Sequence, residues 1–464
     1  MSDFSPSRCE ITKAFVTPYN KKGADGDDIS TIVGSFDIEY GIGKTSLTGS
    51  ITVLDTQSYL ERLPLRGEEE LDLEITCFDL QTVRKIKAFI YKISDVEPSQ
   101  EAKGVSYTLH WISKSSWNGA TKSIIKAFTD KTISTIVKEL FQEYIAKTRP
   151  YTTSKSDPIE LPDNTEIFNI EGEQERKLVI QKTDTKTSLT IPKFSASEAI
   201  YMCLKRAFLN RQSKSSSFRF FETWEGYHFV SDEWLFEKAK INGIPEKNLL
   251  IYSAQIDLDP ENITEQLRSL ESFTNSGRID SARDLAAGSY KTSFVEIDLL
   301  NHTAKKYNYD YVPTTFKDSR GTESSWSTDV HTRDFVDATF NASNAPQFLI
   351  VRDYRDSYDA KSFNGEKNFR DLAANRIMYN NHLQSTSVTA VTSGRLDLSP
   401  GDVVHVRVRE LNASQQIRQN DQLSGKYLIT HVVNACNRDV MTTQLQLFKY
   451  DWSDAGSDNR KGSE

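Results

Sequence analysis

One β-pattern occurs twice in this chain, and no other feature narrows its fold as much. The first copy runs from the turn Leu63-Pro64-Leu65-Arg66-Gly67 into Glu70 to Cys77, then Ile86 to Ile93, then Val105 to Trp111. The second runs from Leu396-Asp397-Leu398-Ser399-Pro400-Gly401 into Val404 to Arg409, then Lys426 to Val433, then Val440 to Phe448. Three subunits of a chain that carries a small sheet unit twice place six such units around one axis. The copies are unequal, because the second is interrupted between Arg409 and Gly425 and follows long insertions.

A length of 464 residues leaves room for about three domains. Charged residues make up 26% and the hydrophobic class 37%, the balance of a polar globular protein. A net charge of -8 argues against a dedicated nucleic-acid binder, although an acidic surface suits nucleic acid in transit. No apolar run is long enough to span a membrane. The first residues, Met1 to Arg8, lack an apolar stretch, so no signal peptide is expected. Cys9, Cys77, Cys203 and Cys436 show no metal-ligand spacing, and three of them fall on apolar phases of strand or helix patterns. They are expected to be buried free thiols of a protein made in a reducing cytoplasm.

Along the chain, residues 1–117 read as a first β-unit. Phe36, Ile38 and Tyr40 alternate with polar residues, as do Ile51 and Val53, and Glu70 to Cys77 alternates strictly, the mark of a sheet with one wet and one packed face. Asn20 to Asp28 reads as a polar loop. Residues 118–244 read as an α+β insert. Ile133, Ile136, Val137, Leu140, Phe141 and Tyr144 form a helical stripe. Ser195 to Glu198 has the form of a capping box, followed by Ile200, Cys203, Leu204, Ala207 and Phe208 at helical spacing. Phe218 to Val230 reads as a hairpin turning at Glu225-Gly226, and residues 150–194 as a long excursion with few anchors.

The second β-unit is expected to be discontinuous, from 245–300 and 385–452. Leu249 to Tyr252 and Ser293 to Asp298 are strand-like, whereas Ile263 to Phe273 and Ser281 to Ala287 suit short helices. Between the two parts, 301–384 reads as an irregular and helical insert, with Gly321 to Ser325 its least ordered part and Phe369, Leu372, Ala373 and Ile377 marking a helix. Residues 453–464 read as a flexible tail. The expected fold class is therefore α+β: two β-barrel-like units with intervening α+β and helical inserts.

The chemical motifs are decoys. Gly41-Ile42-Gly43-Lys44-Thr45 resembles the end of a phosphate loop, but position 38 is Ile38 and the following residues are strand-patterned, so a hairpin turn fits better. His110, His228, His302, His331, His382, His405 and His431 form no metal-ligand pair, and His110 and His405 fall on polar strand phases. Glu222 and Glu225 suggest a glycosidase pair only on spacing, and among 65 acidic residues some such pair is inevitable. No catalytic, cofactor or metal residue is assigned. The aromatics Phe218, Phe220, Phe221, Trp224, Tyr227, Phe229 and Trp234 suit either a core or a subunit interface.

Leu396 to Val404, Gly425 to Val433 and Thr442 to Phe448 resemble the C-terminal tube module of contractile-tail hub proteins. Ser46 to Asp55, with Gly67 to Leu71, resembles the first tube module. The order of parts resembles the central baseplate hub family of T4-type phages, related to the P2-like hub and to type VI secretion spike-base proteins. The segments 150–194 and 301–367 are longer than in that family. The resemblance implies a structural, non-enzymatic virion protein assembled in the host cytoplasm. Its homotrimer would form a pseudo-hexameric ring between the hexameric tail tube protein and the trimeric spike protein, against other baseplate proteins. Phage DNA would pass through it, and no membrane insertion is implied. A wet sheet face, with Asp72 and Glu74 or their neighbours, would line the lumen. The alternative is a tail-tip protein with cell-wall hydrolase or glycan-binding activity.

Overall fold

The computed structural model describes residues 8–18, 26–59, 65–78, 81–99, 104–151, 161–207, 217–253, 263–277, 291–310, 347–351, 387–411 and 417–449, apart from a few positions within or beside these ranges. Most of the Asn20 to Asp28 loop, Phe208, the helices expected over Ser281 to Ala287 and around Phe369 to Ile377, the segment Gly321 to Ser325 and the tail from 453 lie outside them.

The first unit contains β1 (Cys9–Thr17), β2 (Asp27–Asp28), β3 (Val33–Gly41), β4 (Thr48–Asp55), β5 (Glu70–Cys77), β6 (Thr82–Ser99) and β7 (Gly104–Ser113). The alternation read along β5 becomes its burial pattern: Leu71, Leu73, Ile75 and Cys77 are buried while their neighbours are not. β5, β6 and β7 follow one another as an antiparallel meander. Cys9 and Cys77 are opposite each other in the β1/β5 register and form a disulfide. That corrects the expectation of four free thiols; Cys203 and Cys436 alone are free and buried.

The insert holds α1 (Lys114–Thr121), β8 (Ser123–Thr132), α2 (Ile133–Leu140), β9 (Thr148–Pro150), β10 (Thr165–Ile170), β11 (Lys177–Gln181), β12 (Lys186–Ser195), α3 (Ala196–Leu204), β13 (Phe218–Thr223), β14 (Gly226–Ser231) and α4 (Asp232–Ile241). Ser195 and Glu198 close the expected capping box on α3. The hairpin turns at Trp224-Glu225, one residue before the expected position, and Gly226 opens β14 opposite Thr223 with φ +125°, where an added Cβ would lie 1.9 Å from the Lys177 carbonyl oxygen. Residues 150–194 are not an unanchored excursion, since β10, β11 and β12 are all paired there. The polar side chains of β10 and β12 are on half-exposed faces, which hides those two strands from an apolar-run search, whereas β11 is buried along Leu178 to Gln181.

The second unit begins with β15 (Leu249–Ser253), α5 (Ile263–Arg268) and β16 (Leu270–Gly277), so the helix expected over Ile263 to Phe273 gives way to a strand at Leu270. β17 (Lys291–Asp298), β18 (Thr303–Asp310) and β19 (Gln347–Val351) form a separate three-stranded sheet, so Thr303–Asp310 and Gln347–Val351 are strands within the stretch read as irregular and helical, most of which lies outside the described residues. β20 (Ser387–Ser393), β21 (Val403–Leu411), β22 (Ile417–Gln419), β23 (Gly425–Asn437) and β24 (Val440–Lys449) complete the unit. The molecule is mostly β with few helices. Its two β-units are joined in one sheet, ordered β16-β20-β24-β23-β3-β4-β7-β6-β5-β1-β2, and a bridge between Ile251 and Ser269 brings β15 back to the start of β16. One hydrophobic core runs beneath both, from Cys9, Tyr40 and Trp111 to Tyr427 and Leu447. A second core fills the insert.

Candidate functional site

The repeat is a repeat of topology and of register. The first unit is ordered β3-β4-β7-β6-β5-β1 and the second β16-β20-β24-β23-β21-β15. Counted along these ladders, Ile90 corresponds to Ile429, and the β6/β7 ladder slips between Ile90 and Lys92 just as β23/β24 slips between Ile429 and His431. Phe36 corresponds to Phe273, and the slip between Val33 and Ser35 matches that between Leu270 and Ser272. The turns entering the central strands also match. Gly67 has φ +87° and Gly401 φ +88°, and a neighbouring acid accepts a backbone N–H in each: Glu69 from Gly67 at 2.9 Å, Asp402 from Ser399 at 3.1 Å. Bulges at equivalent positions bend the two sheets alike. The units differ at the outer strand, since β1 is antiparallel to β5 and β15 parallel to β21.

β3 joins the units by pairing with the far half of β23, from His431 opposite Gly41 to Asn437 opposite Ser35. A buried polar chain crosses this joint. Tyr40 donates to the Leu398 carbonyl at 3.0 Å, Asn434 reaches Tyr40 Oη at 3.4 Å, and Thr443 donates to Asn434 Oδ1 at 2.8 Å. Burial pushes the Tyr40 phenol well up, so it remains a neutral donor. The Arg395 backbone donates to Thr443 Oγ1 at 2.8 Å. The buried Arg395 guanidinium holds Asp397 through two bonds of 2.7 Å and the Leu267 and Lys247 carbonyls at 2.8 Å each. A buried guanidinium with its donors met by a carboxylate and carbonyls fixes geometry, because removing any partner strands a charge.

On β3, β4, β7 and β24 the wet face of the joined sheet is mainly hydroxyl and amide: Ser50, Thr52, Thr108, Thr442, Gln444 and Gln446, with the charged pair Asp37 and Glu39 near its middle, whereas toward the outer strands it carries Lys85, Lys87, Arg407 and Arg409. Ser50 donates to Asp37 at 2.7 Å, and Ser94 is 2.8 Å from His110 Nε2. His431 Nε2 lies 3.0 Å from Glu39, and burial lowers its pKa although Glu39 opposes the shift. Asp72 and Glu74 instead border a cleft of about 1250 Å³ between β5/β6 and the insert, with Arg84, Lys87, Arg149 and Glu171 on its walls.

Glu222 anchors the insert. Its Oε2 accepts from the Leu47 backbone, Ser113 Oγ and Ser116 Oγ at 2.7 Å each, and Arg176 reaches its Oε1 at 2.5 Å. Burial alone would lower the Arg176 pKa, but Glu222 and Glu173 more than offset it and raise it. A carboxylate so fully engaged has no lone pair left for a substrate, and Glu225 is exposed at the hairpin tip, so the imagined glycosidase pair is an anchor and a turn residue. Gly41 to Thr45 is the β3/β4 turn, with Lys44 N–H donating to the Gly41 carbonyl at 2.9 Å. Phe218, Phe220, Phe221, Trp224, Tyr227, Phe229 and Trp234 are all buried within the chain, which favours the core reading over an exposed interface. Among the described residues no group of three or more His, Cys, Asp or Glu stands ready for a metal ion, and no helix is long and apolar enough to cross a membrane.

No protein-family model matches the chain, nor does any curated protein sequence. Among solved structures it is similar to the tail protein from Neisseria meningitidis MC58, with a TM-score of 0.49 and 10% identity over 97% of this chain and 99% of that one. It is similar also to the 43 kDa tail protein of prophage MuSo2 from Shewanella oneidensis, with a TM-score of 0.48 and 9% identity over 95% and 99%. A third similar structure is the E. coli c3393 protein, a component of the type VI secretion system, with a TM-score of 0.42 and 8% identity over 94% and 77%.

Proposed function

We propose that the chain is a structural protein of a phage tail baseplate: the central hub, a homotrimer whose six β-units form a pseudo-hexameric ring. The observation that carries this is the joint between the units. Two copies with the same strand order and two matching bulges are fused edge to edge through β3 and β23, as consecutive members of a ring must be. In this reading residues 1–117 form one unit and 245–300 with 385–452 the other. Their shared sheet face meets a hexameric tube, while the unequal insertions at 118–244 and 301–384 keep three-fold identity for a trimeric spike and other baseplate proteins. The wet face lines the lumen, hydroxyl- and amide-rich on β3, β4, β7 and β24, and on β5 and β6 its lysines stand beside acids, Lys85 2.9 Å from Glu74, which weakens their hold on passing DNA. Purified protein incubated with its tail tube, or the tail itself, should show a three-fold ring capping a six-fold tube in class-averaged electron micrographs. A distal position on the particle without three-fold symmetry would exclude the hub.

A further inference from the structure

The two units correspond along their central strands, yet one edge is covered and its counterpart carries no second strand among the described residues. In the second unit the far half of β23 is paired on both sides, with β24 and with β3, and Val432, Asn434 and Cys436 are buried there. In the first unit the far half of β6 pairs with β7 alone among the described residues, because the β5 ladder stops at Phe89. Tyr91, Lys92, Asp95, Val96, Glu97 and Pro98 are exposed on it, Tyr91 at 42% and Val96 at 52%. The strand that would cover it, by analogy with β3, is β16, which among the described residues pairs along its length with β20 alone, apart from a single bridge between Ile251 and Ser269 at its start.

We infer that β16 of one copy adds to the far half of β6 of the next, in the antiparallel register that β3 adopts on β23, so that the intermolecular joint repeats the intramolecular one. This rests on the ring proposed above and names the edges that close it. The contact is head-to-tail: each copy offers one β6 edge and one β16 edge, and neither pairs with itself. Backbone hydrogen bonding along the edges supplies the affinity, as in other strand additions. The register follows from the ladders. On the second unit Ala435 faces Asp37 and Cys436 faces Phe36. Following the β6/β7 and β23/β24 ladders through their slips, Glu97 takes the place of Ala435 and Pro98 that of Cys436. Thr274 and Phe273 take the places of Asp37 and Phe36. Glu97 of one copy is therefore opposite Thr274 of the next. A long strand edge with exposed apolar side chains is an aggregation hazard unless it is covered, and a neighbouring copy covers it. Pro98 lacks an N–H and is tolerated because it sits near the end of the ladder.

The test is oxidative cross-linking of the full chain, with Glu97→Cys and Thr274→Cys made singly and together. Both positions are exposed, so neither change disturbs the core. Mixing the two single variants and letting subunits exchange should convert up to about half of the protein to a disulfide-linked dimer, because each mixed ring holds one matched junction, while each variant alone stays unlinked. The double variant should give linked species that stop at three chains. An unlinked double variant from a protein that sediments as a trimer would overturn the edge assignment and leave the ring standing. Linkage of Glu97→Cys to itself would show a two-fold contact and overturn it as well. A protein that is monomeric throughout would remove the ring reading and this joint together.

Discussion

At the scale of single residues the molecule uses buried polar groups as fasteners. Glu222 ties the insert to the β3/β4 turn and to the β7/α1 junction, with Arg176 as its counter-ion. Glu222→Ala leaves Arg176 buried beside Glu173 alone and frees three donors, so it should cost about 3–5 kcal/mol of stability in denaturant unfolding. His228 stacks on Phe221 at a ring separation of 5.1 Å, and burial pushes its pKa down to about 3. Because the folded pKa lies below the unfolded value of 6.5, the unfolded chain takes up the proton first as pH falls. Stability is then whole above pH 6.5 and declines toward pH 3, with a loss from this group of about 2 kcal/mol at pH 5. His228→Phe should remove that part of the pH dependence, measured as the difference in unfolding free energy between pH 7 and pH 5.

At the scale of elements, Cys9 and Cys77 are separated by 68 residues and clamp β1 to β5. Thiol titration of the denatured, unreduced protein should find two free thiols, rising to four on reduction. Cys77→Ser should destabilise the first unit by about 2–4 kcal/mol, chiefly through the freed unfolded chain. The pairing could not be read in the sequence, because a register between strands so far apart is fixed by the sheet and not by spacing. What the sequence did show was local. The alternation of Glu70 to Cys77, the box at Ser195 and Glu198 and, to within one residue, the hairpin turn before Gly226 each depend on neighbours a few residues away. The same dependence explains the misses. β10 and β12 carry polar residues on half-exposed faces, and β18, with Lys305, Lys306 and Asn308, is held by its partner β17 and has no apolar run of its own. The repeat was visible as two strand triplets. Their fusion through β3 and β23, on which the functional reading rests, required the pairing itself.

At the scale of the whole molecule, a joined sheet with a shared face and unequal attachments suits a part that must meet six-fold and three-fold partners at once. The polar chain Tyr40-Asn434-Thr443-Arg395 keeps the angle between the two units fixed, so successive joints around a ring can all be alike. Asn434→Leu removes the link to Tyr40 and Thr443 and strands both hydroxyls. It should lower stability by about 1–3 kcal/mol and shift the assembled state toward smaller species in sedimentation velocity. The most direct measurement of the central claim is the native mass of the purified chain at micromolar concentration, with its spike present. A species of three copies of the 52.7 kDa chain is the expected result, and monomer alone under those conditions would contradict it.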